Sequence, residues 1–142
     1  KIWGKIENDQ IVNATSPSIT TQCLRVAASD GHMAAVFVSF DKKPTMEEIK
    51  EEIEKYKDFC QIVEWCADKT LGTSMLTLEE DNRPQTKLDR NLEGGMAVSI
   101  GRLRPDSQYD YKFVCLSHNT VRGAAGGAVL MAELLAAQGY MD

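Results

Sequence analysis

The sequence predicts an α+β domain: a mixed or antiparallel sheet with helices packed on one face. Three observations lead there. Strand-like runs outnumber helical ones, an amphipathic helical pattern falls mid-chain, and a glycine-bearing helical run closes the sequence. The 142 residues fit one domain with a real core, and no repeat or low-complexity stretch divides them.

Lys1–Ile6 reads as the tail of a helix begun earlier, and with Lys1 in place of an initiator methionine it suggests a piece of a longer protein. Ile19–Val26 and Met33–Phe40 are strand-like. The turn signal Ala28-Ser-Asp-Gly31 between them predicts an antiparallel hairpin. Thr45 and Glu48 have capping-box spacing, and Met46, Ile49, Ile53 and Tyr56 recur at three and four, so an amphipathic helix starts there. Its Glu/Lys face needs only water and neighbouring counter-charges.

Gln61–Trp65 and Met75–Leu78 read as short strands, and Asp81–Arg90 as a polar loop. Met96–Leu103 and Tyr109–Leu116 form a further strand pair around Pro105–Asp106. The closing helix follows Ser117. Its Gly123, Gly126 and Gly127 share one stripe, and each glycine costs about 1 kcal/mol against alanine inside a helix. Two explanations stand: another backbone packs very close, or a ligand does. Ser117, Asn119 and Thr120 are all good N-cap types, and free N–H groups at a helix start attract phosphates and polar ligand edges.

A formal net charge of −5 without a basic cluster argues against nucleic acid or an anionic membrane as partner. No apolar run approaches bilayer-spanning length and no leader pattern is visible, so a cytoplasmic location is expected. Cys23, Cys60, Cys66 and Cys115 lack CxxC spacing and sit in apolar or strand-like runs, as reduced, buried thiols do. His32 and His118 are the two imidazoles, and no metal site is expected.

Arg25 and His32 stand seven positions apart, so two plausible hairpin registers place them on one face. A guanidinium can clamp a carboxylate through two parallel N–H bonds, and an imidazole exchanges protons near neutral pH. Together they could hold and protonate a small acidic substrate. The plainer alternative is that Arg25 pairs with an acidic neighbour and His32 merely flanks a turn. Arg102 and Arg104 alternate toward one face, as an anion site or an outer charged surface.

Cys23-Leu-Arg-Val26 followed by Gly31-His32, then Asp81-Asn-Arg-Pro-Gln85, Leu88-Asp-Arg90, Ala97-Val-Ser-Ile-Gly-Arg102 and Leu116–Gly127, resembles the aspartate-semialdehyde dehydrogenases, in their archaeal and fungal branch. The resemblance runs in order through nearly the whole chain and matches only the C-terminal part of such enzymes. It implies an incomplete catalytic and dimerisation domain of the glyceraldehyde-3-phosphate dehydrogenase-like type. Such enzymes reduce aspartyl-4-phosphate with NADPH to aspartate semialdehyde and phosphate, toward lysine, methionine, threonine and isoleucine.

The resemblance further implies that His32 is the acid/base histidine and Arg25 the ligand of the substrate α-carboxylate. It places Asn119 and Thr120 toward the nicotinamide end of NADP. The family's glycine-rich dinucleotide loop and its nucleophilic cysteine are not in this sequence, so the chain alone is expected to be inactive but to associate as a homodimer or larger. Cys23 matches a structural cysteine expected to be buried. Met33 and Met131 depart from the residues common in relatives. Two alternatives remain: a separate, non-catalytic dimerisation module, and a piece of the N-acetyl-glutamyl-phosphate reductase of arginine synthesis.

Overall fold

A computed structural model describes residues 3–61 and 75–141, apart from the side chains of residues 56–61. The first element is a small hairpin of β1 (Lys5–Glu7) and β2 (Gln10–Val12), with Lys5 opposite Val12. Asn8 and Asp9, at φ 51° and 61°, make its two-residue turn. Paired left-handed residues are what a tight hairpin needs, and Asn and Asp tolerate them best. Of the expected helix tail Lys1–Ile6, Lys5 and Ile6 are strand, and Lys1 and Ile2 lie outside the described residues.

Among the described residues the main sheet has four strands in the order β3 (His32–Val38), β6 (Tyr111–Ser117), β5 (Val98–Pro105), β4 (Met75–Leu78). β3–β6 and β6–β5 are antiparallel, and β5–β4 is parallel. The sheet is thus mixed, as the sequence indicates. β5 and β6 form the expected pair around Pro105–Asp106, where Asp106 accepts from the Gln108 and Tyr109 N–H groups at 3.0 and 3.1 Å.

A bulge between Gly101 and Arg104 interrupts that pair, with Arg102 at φ 58°. Simple alternation of Arg102 and Arg104 therefore fails. Arg104 turns back to donate to the Arg102 carbonyl at 2.7 Å, while Arg102 is exposed.

Helix α1 (Met46–Gln61) begins at the capping box. The Glu48 N–H donates to Thr45 Oγ1 at 3.1 Å, and the Thr45 N–H donates to Glu48 Oε2 at 2.7 Å. That bond holds the Glu48 carboxyl below its ordinary range. Of the expected strand Gln61–Trp65, Gln61 ends α1 and the rest lies outside the described residues.

The predicted hairpin of Ile19–Val26 on β3 does not form. Residues 13–31 contain no strand, and Ile19, Leu24 and Val26 are 59–75% exposed. Cys23, expected to be buried, is exposed with them. The cause lies just ahead of β3. Asp30 sits at φ 53°, and Arg90 Nη1 donates to the Ser29 carbonyl at 2.9 Å, so the chain enters β3 from the side of the Arg90 loop and does not fold back along the strand.

The polar loop Asp81–Arg90 is more ordered than its composition implies. It contains a helical turn, α2 (Thr86–Asp89), and Pro84 and Asp89 are buried. Among the described residues Met96, Ala97, Ile100, Tyr111 and Leu116 are the buried apolar core.

Candidate functional site

One end of the sheet gathers the residues of interest. β3 starts at His32, directly opposite Ser117, the last residue of β6, and Ser117 in turn faces Val98 at the start of β5. His32 therefore lies one residue from the segment His118-Asn119-Thr120. That adjacency comes from a strand pairing of high sequence separation, which no local pattern reveals.

The approach to His32 is built on an ion pair between buried Asp89 and part-buried Arg83. Arg83 Nε donates to both carboxylate oxygens of Asp89, at 2.9 and 2.8 Å, and Arg83 Nη2 also meets Oδ1. The Gln85 N–H adds a bond to Asp89 Oδ2 at 2.6 Å. The Arg83 hydrogen bonds, and then the Gln85 N–H, hold the Asp89 carboxyl below its ordinary range against the opposing effect of burial. This pair fixes α2, and α2 fixes the turn that leads to His32. Arg90 holds Ser29 through its carbonyl and hydroxyl, while Gly31 lies so close to Thr86 that a Cβ would come within 2.5 Å of Thr86 Cγ2. Met33, which follows the histidine, takes the Thr86 hydroxyl on its sulfur at 3.5 Å.

Beyond β6 the chain makes a π-helical turn, Val121–Ala125, before α3 (Gly126–Ala137). Ser117, Asn119 and Thr120 do not cap it with their side chains. His118 does: its Nδ1 accepts from the Thr120 and Val121 N–H groups, each at 3.2 Å, and lies 3.1 Å from Thr120 Oγ1. Two backbone donors on Nδ1 leave the ring proton on Nε2. The Gly123 N–H reaches the His118 carbonyl at 3.0 Å and the Ala125 N–H the Thr120 carbonyl at 2.9 Å. Arg122 Nη1 ties the turn to the Met96 carbonyl at 3.0 Å.

Close packing explains two of the three helix glycines. A Cβ on Gly126 would stand 2.6 Å from the sulfur of fully buried Met96, and one on Gly127 would strike the Arg122 carbonyl oxygen of the π-turn. Gly123 is open, with only the His118 carbonyl at 3.5 Å.

The sequence-predicted residues fall into two groups. His32, Asn119 and Thr120 converge at the same sheet end. Arg25 is exposed in the unpaired segment and forms no ion pair among the described residues, so the shared hairpin face expected for Arg25 and His32 is absent. Nothing local in the sequence marks His118 and Arg90 as site-building residues. Histidine is not a favoured N-cap, and Arg90 acts on a residue 61 positions away. Cys115 is half-buried, and burial pushes its thiol up to about 11, unfit for a nucleophile. Among the described residues no group of acidic, His and Cys side chains could hold a metal ion, and no helix is long and apolar enough to cross a membrane.

The family model "semialdehyde dehydrogenase, dimerisation domain" matches residues 1–122. The chain belongs to the semialdehyde dehydrogenase dimerisation-domain family. An aspartate-semialdehyde dehydrogenase of Saccharomyces cerevisiae is 40% identical over 84% of this chain and 33% of its own length. A malonyl CoA reductase (NADP) of Metallosphaera sedula is 37% identical over 92% of this chain and 36% of its own length. The solved Candida albicans aspartate semialdehyde dehydrogenase with NADP superimposes with a TM-score of 0.82 at 34% identity, covering 99% of this chain and 40% of that one. The chain thus spans well under half the length of the curated relatives it matches, between 33% and 38% for three of them.

Proposed function

We propose that this chain is the catalytic and dimerisation part of a longer NADP-dependent aspartate-semialdehyde dehydrogenase. His32 is its acid/base residue, Arg25 its ligand for the substrate α-carboxylate, and Asn119 and Thr120 face the nicotinamide. The observation that carries the reading is the register: His32 opposite Ser117 brings the proton-moving residue beside the cofactor-facing segment. The convergence does not depend on the hairpin expected from sequence.

The residues suit the cofactor. Asn119 Oδ1 is buried with no hydrogen-bond partner, and a primary carboxamide carries the N–H donor that such an oxygen lacks. When bound, NADPH supplies a hydride to the acyl carbon. Arg25, exposed and without an ion pair among the described residues, is available to clamp a carboxylate with two parallel N–H bonds. His32 takes and returns a proton at its ring nitrogen as the acyl phosphate is replaced by an aldehyde. The apolar side chains left open at Ile19, Leu24, Val26, Met33 and Phe37 suit a second copy of the chain, which agrees with a domain family named for dimerisation. The cytoplasm is the compartment that suits such chemistry.

The malonyl CoA reductase relative gives a second reading, because an arginine that holds one carboxylate can hold another. The test is to assay the full-length protein in the phosphate-dependent oxidation of aspartate semialdehyde with NADP and in the reduction of malonyl-CoA with NADPH. Turnover in the first assay and not the second is expected, with none from residues 1–142 alone. Turnover of malonyl-CoA only would replace the substrate assignment, and activity of the isolated chain would overturn the division of labour.

A further inference from the structure

We infer that His118 is a positioning residue for the nicotinamide end of the cofactor, acting by fixing the backbone on both sides of Asn119. The inference rests on the reading that Asn119 and Thr120 face NADP. His118 is 8% exposed and uses both ends of itself on the same turn. Its Nδ1 lone pair accepts from the Thr120 and Val121 N–H groups, and its carbonyl accepts from the Gly123 N–H. Asn119 lies between these anchors with its Oδ1 buried and unpaired. A π-helical turn costs regular hydrogen bonding, and such turns gather at functional sites, where they aim a side chain that a continuous α-helix would place elsewhere.

The imidazole is itself held. Gly95, at φ 87°, brings its backbone so near that a Cβ there would stand 3.2 Å from His118 Cδ2 and 3.1 Å from Val121 Cβ. A side chain at position 95 would push the ring off the turn. Arg122, bonded to the Met96 carbonyl, closes the same unit from the far side. The result is a rigid mount for an amide oxygen that has nothing to bind until a donor arrives.

The test uses the full-length protein, with His118→Asn, His118→Gln and Asn119→Ala compared with wild type. Asparagine places an acceptor where Nδ1 stands; glutamine places its amide near Nε2. NADPH affinity is read from nucleotide fluorescence without turnover, KM is measured for NADP and for aspartate semialdehyde, and hydrogen exchange is followed at Thr120 and Val121. His118→Gln is expected to weaken NADPH binding by about tenfold or more, the scale on which misplaced support of a binding group acts. The semialdehyde KM should stay within about twofold and the two amides should exchange faster. His118→Asn is expected to bind NADPH within about threefold of wild type, a rescue that general loss of packing would not give. The inference is overturned if His118→Gln binds NADPH normally while Asn119→Ala does not. It is equally overturned if asparagine is no better than glutamine, or if both ligands weaken together. If Asn119→Ala leaves NADPH binding unchanged, the underlying assignment of Asn119 fails instead.

Discussion

Replacing Gly123 and Gly127 by alanine should shift stability in opposite directions, although both lie on one helical stripe four residues apart. Helix propensity alone favours alanine by about 1 kcal/mol at either position. At Gly123 the new methyl meets only the His118 carbonyl at 3.5 Å, ordinary contact, and the backbone is not left-handed. Gly123→Ala should therefore stabilise by about 0.5–1 kcal/mol. At Gly127 the methyl strikes the Arg122 carbonyl oxygen, and backbone cannot swing aside as a side chain can. Overpacking typically costs about 1–3 kcal/mol, so the net effect after the propensity gain is a loss of up to about 2 kcal/mol. Relief requires shifting the π-turn, including the bonds from Gly123 and Ala125 to His118 and Thr120. Thermal unfolding of the full-length variants, with hydrogen exchange across residues 118–127, reads both effects. Equal and stabilising shifts for the two variants would refute the steric reasoning and with it the π-turn.

Asp89→Asn should destabilise by about 2 kcal/mol, since it leaves part-buried Arg83 with a neutral partner. Because the Asp89 carboxyl is held low when folded, its contribution is complete above the ordinary carboxylate range and fades as pH falls through the folded value. Wild-type denaturant midpoints should fall on acidification more steeply than those of Asp89→Asn; parallel curves would count against the pair. Cys115, with its thiol near 11, should resist iodoacetamide at pH 8, and rapid labelling would show that the thiol is not shielded as described. Arg90→Ala should free the Ser29–Gly31 turn, raising hydrogen exchange there and lowering kcat/KM about tenfold; an unchanged kcat/KM would mean that the turn does not position His32.

Local chemistry was legible in this sequence and long-range pairing was not. The capping box at Thr45 and the helix from Met46 rest on contacts within a few residues, the β5–β6 pair closes through a short turn, and β4 shows in its apolar run although it pairs with β5; each is present. Strand β3 shows in the sequence as an apolar run, but its partner does not. The nearest strand-like segment, Ile19–Val26, is adjacent in sequence, yet Arg90 holds Ser29 at the turn before β3, and the strand that pairs with β3 is the distant β6. The Asp81–Arg90 loop looked wholly polar because a carboxylate and a guanidinium score as surface residues. Paired with part-buried Arg83, Asp89 is buried. For the helix glycines, sequence left packing and ligand contact open; Gly126 and Gly127 are explained by packing. His32 and Asn119 were each singled out from sequence, but their common location depends on the register between His32 and Ser117.

The most direct measurement is the turnover of the full-length protein carrying His32→Asn, set beside its NADPH affinity. A fall in kcat of about 10²–10⁴, the usual range for losing a general acid/base, with NADPH binding unchanged, is the expected result. A kcat within about twofold of wild type would remove His32 from the chemistry and leave this end of the sheet without its proposed role.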